Sequence, residues 1–203
     1  MGTLVIIGAG GHGKVAADIA GFTYDRILFL DDGKTGDCAG CPIVGKTENY
    51  KDNLRKADFF VAVGNAGIRR RILGMLEEDG AEIVSLIHPD AVIARSAVLG
   101  NGSIVMAGAV INPEAVIGKG CIINTCASVD HDCVLSDGVH VSVGAHIAGT
   151  VAVGKDTWVG AGAIVSNNLS VCSDCMIGAG AVVVSDIRES GTYVGVPARR
   201  MVK

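Results

Sequence analysis

Aromatic side chains make up 4% of the 203 residues, with one Trp, three Tyr and four Phe. They are too few to fill a broad core, and they suit a narrow interior that holds one branched side chain per side. Basic excess is lacking as well. Lys and Arg number 17 against 21 Asp and Glu, the net charge is −4 and the isoelectric point is about 5.7, which leaves no electrostatic case for nucleic acid. Mean hydropathy is high at +0.45, yet no apolar run reaches the ~18 residues of a membrane-spanning helix. The N-terminus shows no charged segment followed by an apolar stretch and a cleavage site. A cytoplasmic protein with no membrane partner is expected.

Cysteine is present but in the wrong arithmetic for a disulfide framework, at seven residues. Cys38-x-x-Cys41 and Cys172-x-x-Cys175 have the spacing of two halves of a zinc site. They lie far apart along the chain, however, and Cys121, Cys133 and Cys175 fit small core positions. No resident metal is expected.

What the chain has in abundance is a repeat. Stepping in sixes from Ile87 meets Ile93, Leu99, Val105, Ile111, Ile117, Ile123, Val129, Leu135, Val141, Ile147, Val153, Val159, Val165, Val171, Ile177 and Val183. The fifth position of each hexad is mostly small: Ala91, Ala97, Ser103, Ala109, Ala115, Cys121, Ala127 and Cys133 open the series. Neither a 3.6-residue helix nor a period-2 strand produces this pattern. A fixed six-residue self-similarity reads as a parallel β-helix. Three hexads make one triangular coil, and at about 4.8 Å per coil the prism is roughly 27 Å long. The hexapeptide version of this fold coils left-handed, against the usual crossover rule. The 29 glycines suit its many corners. After Arg188 the period fails, and residues 191–200 read as an extended tail.

Ahead of the repeat the pattern alternates. Leu4-Val-Ile-Ile7 reads as a buried parallel strand. Gly8-Ala-Gly10-Gly11-His12-Gly13 follows at once, then a helix over Lys14–Ala20. Strands are expected at Arg26–Leu30, Asp58–Val63 and Ile83–Val84, a loop over 33–45, a short helix around Thr47–Arg55, and a longer helix from Ala66 to Asp79. The organisation is therefore an α/β half-Rossmann domain over 1–84 and a left-handed parallel β-helix with its tail over 85–203.

The glycine turn satisfies G-x-G-x-x-G, with Asp31 and Asp32 about twenty residues on. Glycines let a phosphate or sugar approach the backbone, and a helix N-terminus offers free N–H donors. Only half of a dinucleotide fold precedes the repeat, so a mononucleotide or nucleotide sugar fits better than NAD; a turn needed only for packing is the plain alternative. Gly64-Asn65 repeats the logic after the third strand and should lie beside the first turn. Arg69 reads either as a phosphate ligand or as a solvated helix charge. In the coils, Asp130-His131-Asp132 interrupts an otherwise bland surface. A histidine flanked by carboxylates has its tautomer fixed and its basicity raised. His140 and His146 follow at outward positions, and Arg199, Arg200 and Lys203 are cations at the end of the chain.

In these motifs the chain resembles the bacterial nucleotide-amino-sugar N-acetyltransferases of the PglD-like group, which act on UDP-4-amino sugars, with the NeuD-type sialic acid O-acetyltransferases as wider kin. The resemblance rests on Gly8–Gly13, Phe29-Leu-Asp-Asp32, Ala62-Val-Gly-Asn65, Ile68-Arg69, Ile87-His-Pro89, Asn124-Thr125, His131-Asp132, His140-Val-Ser-Val-Gly144 and Val194-Gly-Val-Pro-Ala198. It implies a homotrimer that holds acetyl-CoA between neighbouring subunits and transfers acetyl to the 4-amino group of a UDP-linked amino-deoxy sugar. It also implies roles for residues. His131 would be the general base, with Asp132 (often Glu in the family) or Asp130 as its partner. Gly10, Gly11, His12, Asp31, Asp32, Gly64, Asn65, Gly67 and Arg69 would line the sugar-nucleotide site. His140, Ala161 and Ala179 would contact acetyl-CoA, with the terminal cations available to its phosphates. A GDP-linked amino sugar, O-acetylation of sialic acid, a γ-carbonic-anhydrase-like metalloenzyme and a non-catalytic prism remain as alternative readings.

Overall fold

In the computed structural model, which describes residues 2–201, the first apolar run becomes β1 (Thr3–Ile7) and packs parallel to β2 (Arg26–Leu30) on one side. Helix α1 (Gly11–Ala20) connects them. It begins three residues earlier than expected, inside the glycine run. Residues 33–45 are not a plain loop. They hold a hairpin of β3 (Asp37–Cys38) and β4 (Cys41–Gly45), closed by Ala39 and Gly40 at φ +51° and +76°. Two consecutive left-handed residues make the tight hairpin turn whose twist matches the strands. A 3₁₀ segment (Thr47–Asn53) leads to β5 (Asp58–Val61), and α2 (Ala66–Glu78) follows. The expected fourth parallel strand reduces to a single bridge between Phe59 and Ile83.

The sheet order is β3-β4-β2-β1-β5. The chain runs from β1 to β2 on one side and then returns to place β5 on the other. The carboxyl ends of β1 and β5 thus flank the point where the topology reverses, the crevice in which open α/β sheets bind ligands. Val5, Ile7, Leu28, Leu30, Phe59 and Val61 form one core with Ile72, Leu73 and Leu76 of α2. The two compact units of the chain are Met1–Leu86 and Ile87–Lys203.

In the second unit each hexad gives one short strand, and partners lie eighteen residues apart. Ile111 pairs with Ile93 and Val129, Ile117 with Leu99 and Leu135, and Ile123 with Val105 and Val141. Three parallel sheets result, here called the first face (from Leu86–Ile87), the second (from Val92–Ile93) and the third (from Val98–Leu99). The first-position aliphatics and small fifth-position residues fill the interior from Val105 to Val183. The first coil has only one neighbouring coil, so Ile87 stays 47% exposed and Ile93 and Leu99 are only partly buried.

The corners follow one rule. At every fourth hexad position from Gly102 to Gly180, φ lies between +55° and +75°. Gly, Asp and Asn tolerate that region best and fill most of these places. Asp132 is one of them, at +59°. The expected tail instead forms a strand, Gly191–Val194, parallel to Cys175–Ile177, and then turns back through Arg199–Arg200. Its Tyr193 and Ala198 pack against the end of the interior. Lys203 lies outside the described residues.

Candidate active site

The two glycine turns of the first unit meet as the sheet order requires, since Ile7 and Val61 are cross-strand partners. The glycines divide into two kinds. A Cβ on Gly8 (φ +107°) would sit 2.8 Å from the carbonyl oxygen of Ala62, and one on Gly13 would sit 2.1 Å from that of Gly8. Packing forbids a side chain there. Gly10, Gly11 and Gly64 have nothing within 4 Å of an added Cβ. Gly10 caps α1 with no side-chain hydrogen bond, so the first N–H groups of that helix are donors without a side-chain cap. Gly67 stands in the first turn of α2, whose cap Asn65 accepts a hydrogen bond from the N–H of Ile68 at 2.9 Å. Asn65 therefore shapes its turn, and only its amide donors are left over.

The carboxylates differ in the same way. Asp31 accepts from the backbone N–H of Ala9 at 2.7 Å and of Gly33 and Lys34 at 2.9 Å. Burial opposes ionisation, but these bonds and Lys34 win and hold its pKa below the usual carboxylate value. It ties the loops after β1 and β2 together, with most of its acceptor capacity taken. Asp32 is exposed and accepts from Thr47 N through one oxygen at 2.8 Å. Lys34, which the motif reading passes over, donates to Ala9 O at 2.8 Å and brings an ammonium to the glycine turn.

Two residues depart from expectation. Arg69 is neither a solvated charge nor open to a phosphate. It is 1% exposed and its guanidinium donates to Val63 O at 2.8 Å and Gly64 O at 2.9 Å. Removing a cation from water requires such partners, and here they fix the second turn. His12 turns inward, edge-on to Phe60 at 6.2 Å, with its Nε2 buried and lacking a hydrogen-bond partner. Burial first, and then Arg69, push its pKa down to about 4. The imidazole is neutral at pH 7 and is no cation for a phosphate. The folded-state pKa is depressed, so its contribution is full above pH 6.5 and is lost as pH falls toward 4. Thermal melts should show about 3 kcal/mol of acid destabilisation across that window, and His12→Leu should flatten it. An equal pH slope in both proteins would contradict this assignment.

In the second unit, His131 occupies the corner between the second and third faces, with its side chain 56% exposed. Its Nδ1 lies 2.7 Å from Oδ2 of Asp132. Asp130 acts on the backbone instead. Its Oδ1 accepts the N–H of His131 at 2.8 Å and Nδ2 of Asn112 at 2.9 Å. The left-handed turn at Asp132 brings that carboxylate to the ring, while Asp130 anchors the chain before it. With Nδ1–H assigned to Asp132, Nε2 carries the free lone pair. The Asp132 hydrogen bond raises the pKa of His131 and outweighs desolvation, with the charges of Asp130 and Asp132 adding to the rise.

The three residues linked with acetyl-CoA lie elsewhere. His140 is on the first face, stacked on Trp158 with ring centroids 5.9 Å apart, and its Nε2 is 3.2 Å from Nδ2 of Asn124. Ala161 and Ala179 are exposed at successive corners between the first and second faces. One chain thus gathers His131 and its carboxylates at one edge, and the two alanines at the next. Sequence reasoning misses Trp158, which is 41% exposed, although a lone Trp eighteen residues after His140 is a legible sign. His146 shares a 2.9 Å contact with Ser128 Oγ. Of the terminal cations, Arg200 is paired with Glu189 and donates to Ser190 O. Sγ of Cys172 and Cys175 lie 3.5 Å apart, and burial pushes the Cys175 thiol up to about 12. Among the described residues no group of three or more His, Cys, Asp and Glu could hold a metal ion.

Comparison with known proteins shows the family. Residues 3–76 match the family model of the PglD N-terminal domain. The chain is 44% identical to the acetyltransferase domain of PglB from Neisseria gonorrhoeae, with a TM-score of 0.96 over 98% of this chain and 99% of that one. The chain belongs to the PglD-like family of sugar acetyltransferases. The PglB domain is also known in complex with acetyl coenzyme A, with the same identity and TM-score. A histidine-to-asparagine variant of perosamine N-acetyltransferase from Caulobacter crescentus, in complex with CoA and GDP-perosamine, is 36% identical over 100% of this chain and 98% of that one, at a TM-score of 0.94. UDP-N-acetylbacillosamine N-acetyltransferase of Bacillus subtilis is 37% identical over 113 residues. That match spans 53% of this chain and 52% of the relative, about half the length of each. The PglD-like fold is an α/β unit followed by a left-handed β-helix, the fold class expected for this chain. No helix among the described residues is long and apolar enough to cross a membrane.

Proposed function

We propose that the protein transfers the acetyl group of acetyl-CoA to the 4-amino group of a UDP-linked amino-deoxy sugar, with His131 as general base and Asp132 as its partner. The observation that carries this reading is the 2.7 Å pair between His131 Nδ1 and Asp132. It leaves Nε2 as the strengthened acceptor of a side chain that is 56% exposed, on a scaffold whose relatives bind acetyl-CoA.

The amine attacks the thioester carbonyl and forms a new C–N bond. As positive charge develops on nitrogen, Nε2 takes its proton. Collapse of the tetrahedral adduct breaks the C–S bond, and the imidazolium returns the proton to the CoA sulfur. Much of the remaining rate gain comes from holding amine and thioester together. The sugar nucleotide belongs in the first unit, where Gly10, Gly11 and Gly64 leave the backbone open and Lys34 reaches the first turn at Ala9 O. Acetyl-CoA belongs along the edge of Ala161 and Ala179, with His140 on the adjoining face. That edge and the His131 edge are different corners of one prism, so a neighbouring copy supplies one of them. A homotrimer does this, and the exposed aliphatic column Val98, Val116 and Val134 on the third face (57%, 41% and 49% exposed) suits such a contact.

Asp132→Asn tests the pair. The pKa of His131 is raised, so its neutral, base-competent form becomes dominant at a higher pH than for an ordinary imidazole. Without the carboxylate the acid limb of the kcat/KM profile should move to lower pH and kcat should fall. An unmoved limb would contradict the assignment. The acceptor is tested with UDP- and GDP-linked 4-amino sugars and acetyl-CoA, read by thiol release. UDP-linked amines should react fastest. Preference for GDP-linked amines would move the assignment toward the perosamine relative, and acetylation of a hydroxyl acceptor alone would overturn N-acetylation.

A further inference from the structure

Gly149 lies eighteen residues after His131, one full coil further on, and the His131 ring rests against it. An ideal Cβ built on Gly149 would stand 2.6 Å from Nε2 and 2.7 Å from Cε1 of that ring. Ordinary contact begins near 3.4 Å, so the ring would have to retreat by close to an ångström. The backbone gives no reason for glycine here. Gly149 has no positive φ, so any residue adopts its conformation. In the same corner column Pro113, His131 and Asn167 are exposed, whereas Gly149 is buried. The register is held by Thr150, whose N–H donates to His131 O at 2.9 Å. From the other side, Asp130 accepts the His131 N–H and is itself held by Asn112 Nδ2.

We propose that Gly149 is a positioning residue for His131: its missing side chain is the space that seats the imidazole against Asp132 and keeps Nε2 open to the substrate amine. The closest atom to the absent Cβ is Nε2 itself, the nitrogen that must receive the proton. A methyl group there either covers that nitrogen or pushes the ring away from the carboxylate. The functional part of this proposal rests on His131 acting as the base; the seating of the ring does not.

The test uses the full chain with Gly149→Ala, His131→Ala and the double variant, and Asn167→Ala as a neighbour in the same column. Gly149→Ala should lower kcat about 10²-fold, the cost of a misplacement of about 1 Å, with KM for both substrates little changed. The double variant should be no slower than His131→Ala, because the clash has gone. Asn167→Ala should behave as wild type. The titration of His131, followed by NMR, reads the seating without turnover: its pKa should fall in Gly149→Ala, since the Asp132 bond is disturbed. Wild-type kcat with an unchanged His131 pKa in Gly149→Ala would overturn the proposal, as would an equal loss in the His131→Ala background. If the pKa falls but His131→Ala keeps its turnover, the seating stands and the general-base reading fails. Should Gly149→Ala fold poorly, the double variant must recover the melting temperature of His131→Ala, and failure to do so also overturns it.

Discussion

His131→Ala should lower kcat by about 10²–10⁴-fold, the usual contribution of a positioned general base, the role proposed for this residue. Sugar-nucleotide KM should change little, because the side chain is 56% exposed and stands on the coils. The fold should also survive. His131 packs at a corner, outside the interior built by Val129, Cys133 and Leu135. The carboxylates behave differently from each other. Asp130 holds backbone and Asn112, so its loss should disturb the turn. Asp132 holds the imidazole, so its loss should move the pH profile. A His131→Ala enzyme with near wild-type turnover, measured by thiol release at saturating substrates, would remove the central residue from the mechanism.

Gly13→Ala should be the most damaging change in the first unit. Its Cβ would lie 2.1 Å from Gly8 O and 3.2 Å from the ring of Phe29. The first of these is a backbone atom, so no rotamer change relieves it, and α1 must move away from β1. Overpacking of this kind costs about 1–3 kcal/mol and opens the turn between β1 and α1. Sugar-nucleotide KM should rise at least about tenfold, the equivalent of about 1.4 kcal/mol. Acetyl-CoA binding, measured by calorimetry, should be retained, because the residues proposed for it stand on the coils. Gly10→Ala and Gly11→Ala meet open space and should leave the melting temperature nearly unchanged. Equal melting temperatures for Gly13→Ala and wild type would contradict this reading of the turn.

The coils are legible in the sequence because a six-residue period states the packing directly: one inward aliphatic and one small residue per side, from Val105 to Val183. The glycine turns are legible as motifs, and the pairing of β1 with β5 brings them together as expected. What periodicity does not encode is where a polar atom goes. Which carboxylate meets His131 depends on the left-handed turn at Asp132, and Asp130 and Asp132 look alike in sequence. Arg69 has the spacing of an exposed helix cation, yet Val63 O and Gly64 O draw it inside. His12 follows the glycines as a ligand would, yet its ring lies against Phe60. The β3–β4 hairpin escapes a sequence reading because a strand of two residues carries no periodicity, and Ala39 is not a residue that announces a positive φ. Gly149 becomes visible only once the eighteen-residue stacking places it against His131.

The most direct test of the central claim is the position of the transferred group. The protein is incubated with acetyl-CoA and a UDP-linked 4-amino sugar, and the product is assigned by NMR. The expected product carries one acetyl group per CoA released, bonded as an amide to the nitrogen at the sugar's 4-position. An acetyl ester on a hydroxyl, or CoA release with no acetylated sugar, would contradict it.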